Sequence, residues 1–280
     1  MRIGVVAALV SALGGCVELG LIEDGTSISV GRPSGGYLVA GRRLPDHGEG
    51  FTTKEIWRTR GVRYGTDELV DLITAVGRQL AQTPGQKLVV ADLSTRSGGE
   101  GGRRWHRSHQ SGRDVDLVFF MRDAQGKPME ADSMRVFDAE GVAADGSGIT
   151  IDIPRTWELV RSLVMSREAI VQWVFVFEPI AQKLLEHALV KGEPEFLIAR
   201  ARLVMKQPND SARHDDHMHV RVYCTKRDHA YGCVDIGPME PMMERVATGE
   251  STEQRELPSL ITEMVAGAAS VAATEVLIGR

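Results

Sequence analysis

Long apolar runs, an excess of positive charge, a second pair of cysteines and the usual nucleotide and serine-nucleophile strings are all missing from this chain of 280 residues. Each absence removes a class of function. After the first sixteen residues no stretch approaches the roughly 20 apolar residues that a membrane-crossing helix needs, so no span is expected in the mature chain. A formal net charge of -5 provides no basic field to gather nucleic acid, and no nucleic-acid partner is expected. Cys224 and Cys233, nine positions apart with no second pair, do not make a four-thiolate zinc cage. The glycine-rich loop Gly98 to Gly102 lacks a Gly-Lys-Ser/Thr ending, which argues against a phosphate loop, although it has room for a bulky polymer. Without a Gly-x-Ser-x-Gly string around Ser108, a serine hydrolase is disfavoured. No internal repeat is visible.

What the chain does contain is ordinary for a globular protein: 42% hydrophobic and 25% charged residues, enough to bury a sizeable core. Met1-Arg2 followed by the apolar run Ile3 to Leu13 reads as an export signal, placing the mature protein in the cell envelope or periplasm. Leu13-Gly14-Gly15-Cys16 resembles a bacterial lipobox, which implies cleavage before Cys16 and membrane attachment through a lipid on its sulfur; an ordinary signal peptide is the alternative. Export to an oxidising compartment predicts a disulfide between Cys224 and Cys233.

Periodicity supplies the elements. Val17 to Gly50 is rich in Gly, Ser, Pro and Arg and is read as loosely built, with one short strand at Gly36 to Val39. Leu69, Leu72, Ile73, Val76 and Leu80 recur at helical spacing behind Asp67 and Glu68. Leu88 to Leu93 suits a buried strand, and Asp114 to Phe120 a strand with Val115, Leu117 and Phe119 on one face and Asp114 and Asp116 on the other. A helix is expected over Thr156 to Met165, a strand over Ile170 to Phe177, a helix from Pro179 to about Leu189 and another over Glu195 to Val204. His217 to Tyr223 alternates strictly, so His217, His219, Arg221 and Tyr223 share one side.

Six of the eight histidines fall at His106, His109, His214, His217, His219 and His229. One isolated histidine is a surface or satisfied core residue more often than a ligand, but that reading fails for two tight groups. A strand bearing His-x-His offers two imidazoles about 7 Å apart on one face, and a carboxylate on a neighbouring strand completes a set. Catalytic zinc takes three such ligands and leaves a position open, for which His109, Asp116 and His219 are the candidates.

Ser108-His109-Gln110-Ser111-Gly112-Arg113-Asp114-Val115-Asp116 and His214-Asp215-Asp216-His217-Met218-His219-Val220-Arg221 closely resemble the penicillin-insensitive murein endopeptidases. These sit in the wider group with D-Ala-D-Ala carboxypeptidases, lysostaphin-like peptidases and the hedgehog signalling domain. The likeness runs over about Ser27 to Cys233. It implies that His109, Asp116 and His219 bind one Zn2+, that His217 is the catalytic histidine, and that His214 is a further active-site histidine. His106 and Asp145 match an additional metal site, but Gly148 stands where that site has a histidine, which speaks against a second ion. His106 is then a group facing substrate or supporting a ligand.

The expected chemistry is metal-assisted hydrolysis with His217 taking and returning a proton, and Asp114 or Asp215 orienting a histidine. The expected substrate is peptidoglycan stem peptides, the resemblance pointing to the D-alanyl to diaminopimelate cross-link. Alternatives are a D,D-carboxypeptidase or dipeptidase of the same zinc group, a non-catalytic zinc-containing wall-binding module, or a zinc-free structural domain. Arg96, Arg103, Arg104 and Arg113 flank the motif and are read as solvated surface groups or as grips for stem-peptide carboxylates. The expected architecture is α+β, a mostly antiparallel central sheet carrying the ligands with helices packed on it. The expected division is an export signal over 1–15, a linker over 16–26, a zinc metallopeptidase domain over 27–236 and a weakly helical tail over 237–280.

Overall fold

A computed structural model describes residues 26–247 apart from 103–105. The export signal, Cys16, Arg103, Arg104 and the tail after Ala247 lie outside the described residues.

The segment expected to be loosely built carries a hairpin, β1 (Ile28–Arg32) and β2 (Gly35–Val39), paired antiparallel with Ile28 opposite Val39. Its glycines and serine disguise the strand in sequence, yet Ile28, Ser29 and Leu38 are buried. Shorter pieces follow at Arg42–Arg43, His47–Gly48 and Phe51–Thr52. Helix α1 (Asp67–Ala81) begins where Thr66 caps it, its side chain accepting from the Leu69 amide. It buries Leu69, Leu72, Ile73, Val76 and Leu80, the predicted stripe.

The sheet that matters for function has four strands, in the order β6-β5-β7-β4. They are β4 (Asp114–Val118), β5 (Val171–Phe175), β6 (Met205–Lys206) and β7 (His217–Val222), with β3 (Leu88–Val89) running beside β4. Pairing of β4 with β7 and of β7 with β5 is antiparallel; β5 and β6 are parallel. One face is core: Val115, Leu117, Val174, Met218 and Val220 are fully buried. Burying each such side chain stabilises the fold by roughly 1.5–3 kcal/mol.

Helix α2 (Ile153–Met165) packs on α1, on α3 (Glu178–Lys191) and on α4 (Glu195–Val204), and α4 also lies against β5 and β6. Helix α2 starts three residues before the sequence expectation because Asp152 accepts from the Arg155 amide at 3.2 Å and Pro154 fits the first turn. The architecture is α+β, as the element pattern predicts.

Beyond β7, Cys224 and Cys233 form a disulfide around a short helix, α5 (Lys226–Ala230). This loop is stitched to β1 by Gly31 N donating to Gly232 O and Val234 N donating to Gly31 O, both at 3.0 Å. Arg113 lies beneath it, donating to Val222 O, Val234 O and, at 2.7 Å, to Asp235 Oδ1. Arg113 is therefore neither a solvated arginine nor a grip for substrate: it is fully buried and holds the loop to the end of β7. Replacing both cysteines with serine is expected to lower unfolding stability by about 2–3 kcal/mol, read as a shift of the urea midpoint, because a short closed loop is released in the unfolded chain. The described residues end on helix α6 (Glu240–Ala247), which packs on α4 and β5.

Candidate metal centre

The turn before β4 carries the first donor. His109 adopts φ 68, the left-handed region that costs a non-glycine residue about 1–3 kcal/mol, and the surroundings hold it there. Its carbonyl accepts from the Ser94 hydroxyl, and its Nδ1–H donates to Leu93 O at 2.9 Å. The glycine-rich loop lies directly beneath: a Cβ on Gly98 would meet Gln110 O at 2.0 Å, so its glycine serves close packing under this turn. Leu38 of β2 covers Gly112 from the other side.

The second and third donors come from strand register. His219 on β7 is the pairing partner of Asp116 on β4, so their side chains leave the same face of the sheet. His219 Nε2–H donates to Asp114 Oδ1 at 2.7 Å, and that oxygen also accepts from Arg221 Nε at 2.7 Å. Of the two aspartates nominated from sequence to orient a histidine, Asp114 is thus the one in contact, whereas Asp215 pairs with Arg213.

These bonds fix both tautomers. With Nδ1 of His109 and Nε2 of His219 carrying protons, the opposite ring nitrogens have free lone pairs, and these converge: His109 Nε2, His219 Nδ1 and Asp116 Oδ1 lie 3.3 Å from one another in every pairing. A tetrahedral cation with bonds of about 2.0–2.1 Å needs donors about 3.3–3.4 Å apart. The carboxylate of Asp116 is fully buried and neither oxygen accepts a hydrogen bond, an arrangement that a cation would satisfy. The donor set fits a metal ion.

Three more histidines surround the set. His217 Nδ1 bonds Asp216 Oδ1 at 2.6 Å and its Nε2 lies 3.3 Å from Asp116 Oδ1. Its side chain is 16% exposed against 1% for His109 and 7% for His219, so it stands on the open side. Burial works to lower His217, yet Asp116 and Asp216 raise it to about 10. His214 stands in ring contact with His217 and His219 at 5.4 and 5.7 Å. Desolvation, helped by His219 and His217, lowers it to about 3, so it is neutral at physiological pH. His106 stacks on His109 with ring centroids 4.3 Å apart, and its Nδ1 reaches to 3.5 Å from Asp116 Oδ2.

His106, His109, Asp116, His214, His217 and His219 thus meet in one place. Asp145 does not join them: its exposed carboxylate pairs with Arg135, and it belongs to no metal-sized donor group among the described residues. Beside His106 stands instead Asp92, whose Oδ2 meets His106 Nε2 at 2.8 Å and Arg60 Nη1 at 2.6 Å. Asp92 is missing from the sequence candidates; its signal is a lone carboxylate inside the apolar run Leu88 to Leu93, of which only Leu88–Val89 forms a strand, since a buried charge demands partners. A further donor group, Cys224 with His229 and Asp235, is closed to metal because its sulfur is in the disulfide.

In this α+β protein one imidazole from β7, one from the turn before β4 and a bare carboxylate from β4 converge on one point, a donor set that could hold a cation at the face of the sheet. Residues 29–246 match a family model described as penicillin-insensitive murein endopeptidase, and the chain belongs to that family. A curated relative, the penicillin-insensitive murein endopeptidase of Haemophilus influenzae, is 21% identical over 202 residues, covering 72% of this chain and 65% of the relative. The match thus spans under two thirds of that relative's length. No helix among the described residues is long and apolar enough to cross a membrane.

Proposed function

We propose that this chain is an exported zinc endopeptidase that hydrolyses peptide cross-links in bacterial peptidoglycan, with the D-alanyl to diaminopimelate bond as its target. The observation that carries the reading is the buried, hydrogen-bond-free Asp116 carboxylate with His109 Nε2 and His219 Nδ1 each 3.3 Å from its Oδ1. Membership of a murein endopeptidase family supports the substrate class.

Zinc held by His109, Asp116 and His219 would supply Lewis acidity to the scissile carbonyl and to the attacking water. The remaining work falls to the chain's own side chains. His217, tied at Nδ1 to Asp216, turns Nε2 to the donor set, where it takes the water proton and returns it to the leaving amine. His214, neutral at working pH, offers a hydrogen-bonding group without adding positive charge beside the cation. Asp114 keeps His219 in the ligating tautomer.

Digestion of purified peptidoglycan with the full chain, with and without a chelator, tests this reading. Loss of cross-linked dimers with a matching gain of monomers, abolished by the chelator and restored by zinc, is the expected result. Trimming of free pentapeptides with dimers left intact would make it a carboxypeptidase. Binding to the wall without release of new amino termini would make it a binding module.

A further inference from the structure

The register that brings His219 opposite Asp116 continues across the whole sheet. Phe175 on β5 pairs with His219, and Lys206 on β6 pairs with Phe175, so Lys206, Phe175, His219 and Asp116 form one row on one face. The adjacent row on that face holds Trp173, Arg221 and Asp114. Lys206 is exposed at the sheet edge, and its Nζ lies 5.7 Å from the Trp173 ring centroid. Trp173 and Phe175 stack with centroids 5.6 Å apart, and Phe175 in turn touches the His219 ring at 5.3 Å. An unbroken aromatic wall therefore leads from the metal donors to a cation.

The other cations near this wall are committed. Arg221 is bonded to Asp114 and lies over Phe175, while Arg213 is paired with Asp215. Lys206 has no carboxylate partner among the described residues. Two strand spacings, about 10 Å, separate its backbone from that of His219. An extended peptide covers that distance in about three residues.

We propose that Lys206, carried on the Trp173–Phe175 wall, is a specificity-determining residue that grips a free carboxylate of the stem peptide about three residues from the scissile bond. This rests on the proposed peptidase reading, because the distance is counted from a bond lying at the donor set. Lysine suits the task as a mobile point charge, and the aromatic wall supports the peptide between the two anchors.

The test uses the metal-loaded full chain and synthetic cross-linked dimers in two forms, with the stem carboxylates free or amidated, together with calorimetric binding of the matching uncross-linked stem peptides. Wild type is expected to favour the free acid by about fivefold in KM and in Kd, the size an exposed ion pair supports. Lys206→Met should erase that preference with kcat on the acid form little changed, the mark of lost ground-state binding. Lys206→Arg should keep the preference, and Lys206→Glu should reverse it. Persistence of the acid preference in Lys206→Met, or its absence in wild type, overturns the subsite. If dimers are not cut but the uncross-linked acid still binds with a Lys206-dependent preference, the peptidase reading fails and the subsite stands.

Discussion

His217→Ala is expected to lower kcat on cross-linked dimers about a thousandfold while the protein keeps its metal, whereas His219→Ala is expected to lose the metal and the activity together. The geometry alone makes this contrast sharp, because both imidazoles place a nitrogen 3.3 Å from Asp116 Oδ1. What separates them is the far side of each ring. His219 is braced by a fully buried carboxylate and shares its lone pair with the point where His109 aims, while His217 is braced by the half-exposed Asp216 and faces the open side. Charge gives an independent readout. Asp116 and Asp216 raise His217 to about 10 against the effect of burial, so its imidazole is protonated at neutral pH before a cation arrives. A divalent ion on Asp116 removes one source of that rise and adds repulsion, and His217 must then give up its proton to act as a base. Metal titration in weakly buffered solution should therefore release about one proton fewer from His217→Ala than from wild type. Equal metal contents after dialysis of the two variants, both near zero, would mean that His217 is a ligand and not the base.

The parts of this site that were legible in the sequence are those that repeat within a single element. The alternation in His217 to Val222 marks a strand with both histidines on one side, and β7 is that strand. The stripe from Leu69 to Leu80 marks α1 because the cap, the acidic first turn and the apolar period agree. What escaped are the relations between elements. Nothing within Val171 to Phe175 or Met205-Lys206 says that Phe175 and Lys206 fall in the row of His219, since that register is set by pairing across separations of tens of residues. Arg113 looks in sequence like any arginine beside a motif, and its burial becomes possible because the end of β7 and the segment after Cys233 place two carbonyls and Asp235 around it. Resemblance points to Asp145 beside His106, and the fold puts Asp92 there, from an apolar run that forms a strand only over Leu88–Val89 and carries Asp92 beyond its end.

The bracing carboxylate carries the second large effect. Asp114→Asn is nearly isosteric, but it removes the charge that both His219 Nε2–H and Arg221 Nε–H meet at 2.7 Å. Weakening this support of a ligating imidazole is expected to reduce metal affinity about 10–100-fold, measured by competition with a chelating dye. The metal-free protein should also lose about 3 kcal/mol of stability in urea, because Arg221, buried on the same face, keeps its charge without a counterion. The pH dependence has a definite sign. Burial raises the Asp114 carboxyl, but Arg221 and His219 overcome this and push it far below its ordinary value. Its contribution is therefore fully present above the unfolded pKa of about 3.9 and is lost as the pH falls towards the depressed folded value. Wild type should lose stability through that acid window, and Asp114→Asn should lose less there. Combining it with Arg221→Met should recover part of the stability, since the stranded cation is gone, but none of the metal affinity, since His219 remains unbraced. Recovery of both together would trace the loss to packing around Arg221, and undiminished metal binding in Asp114→Asn would remove Asp114 from the account of how His219 is held.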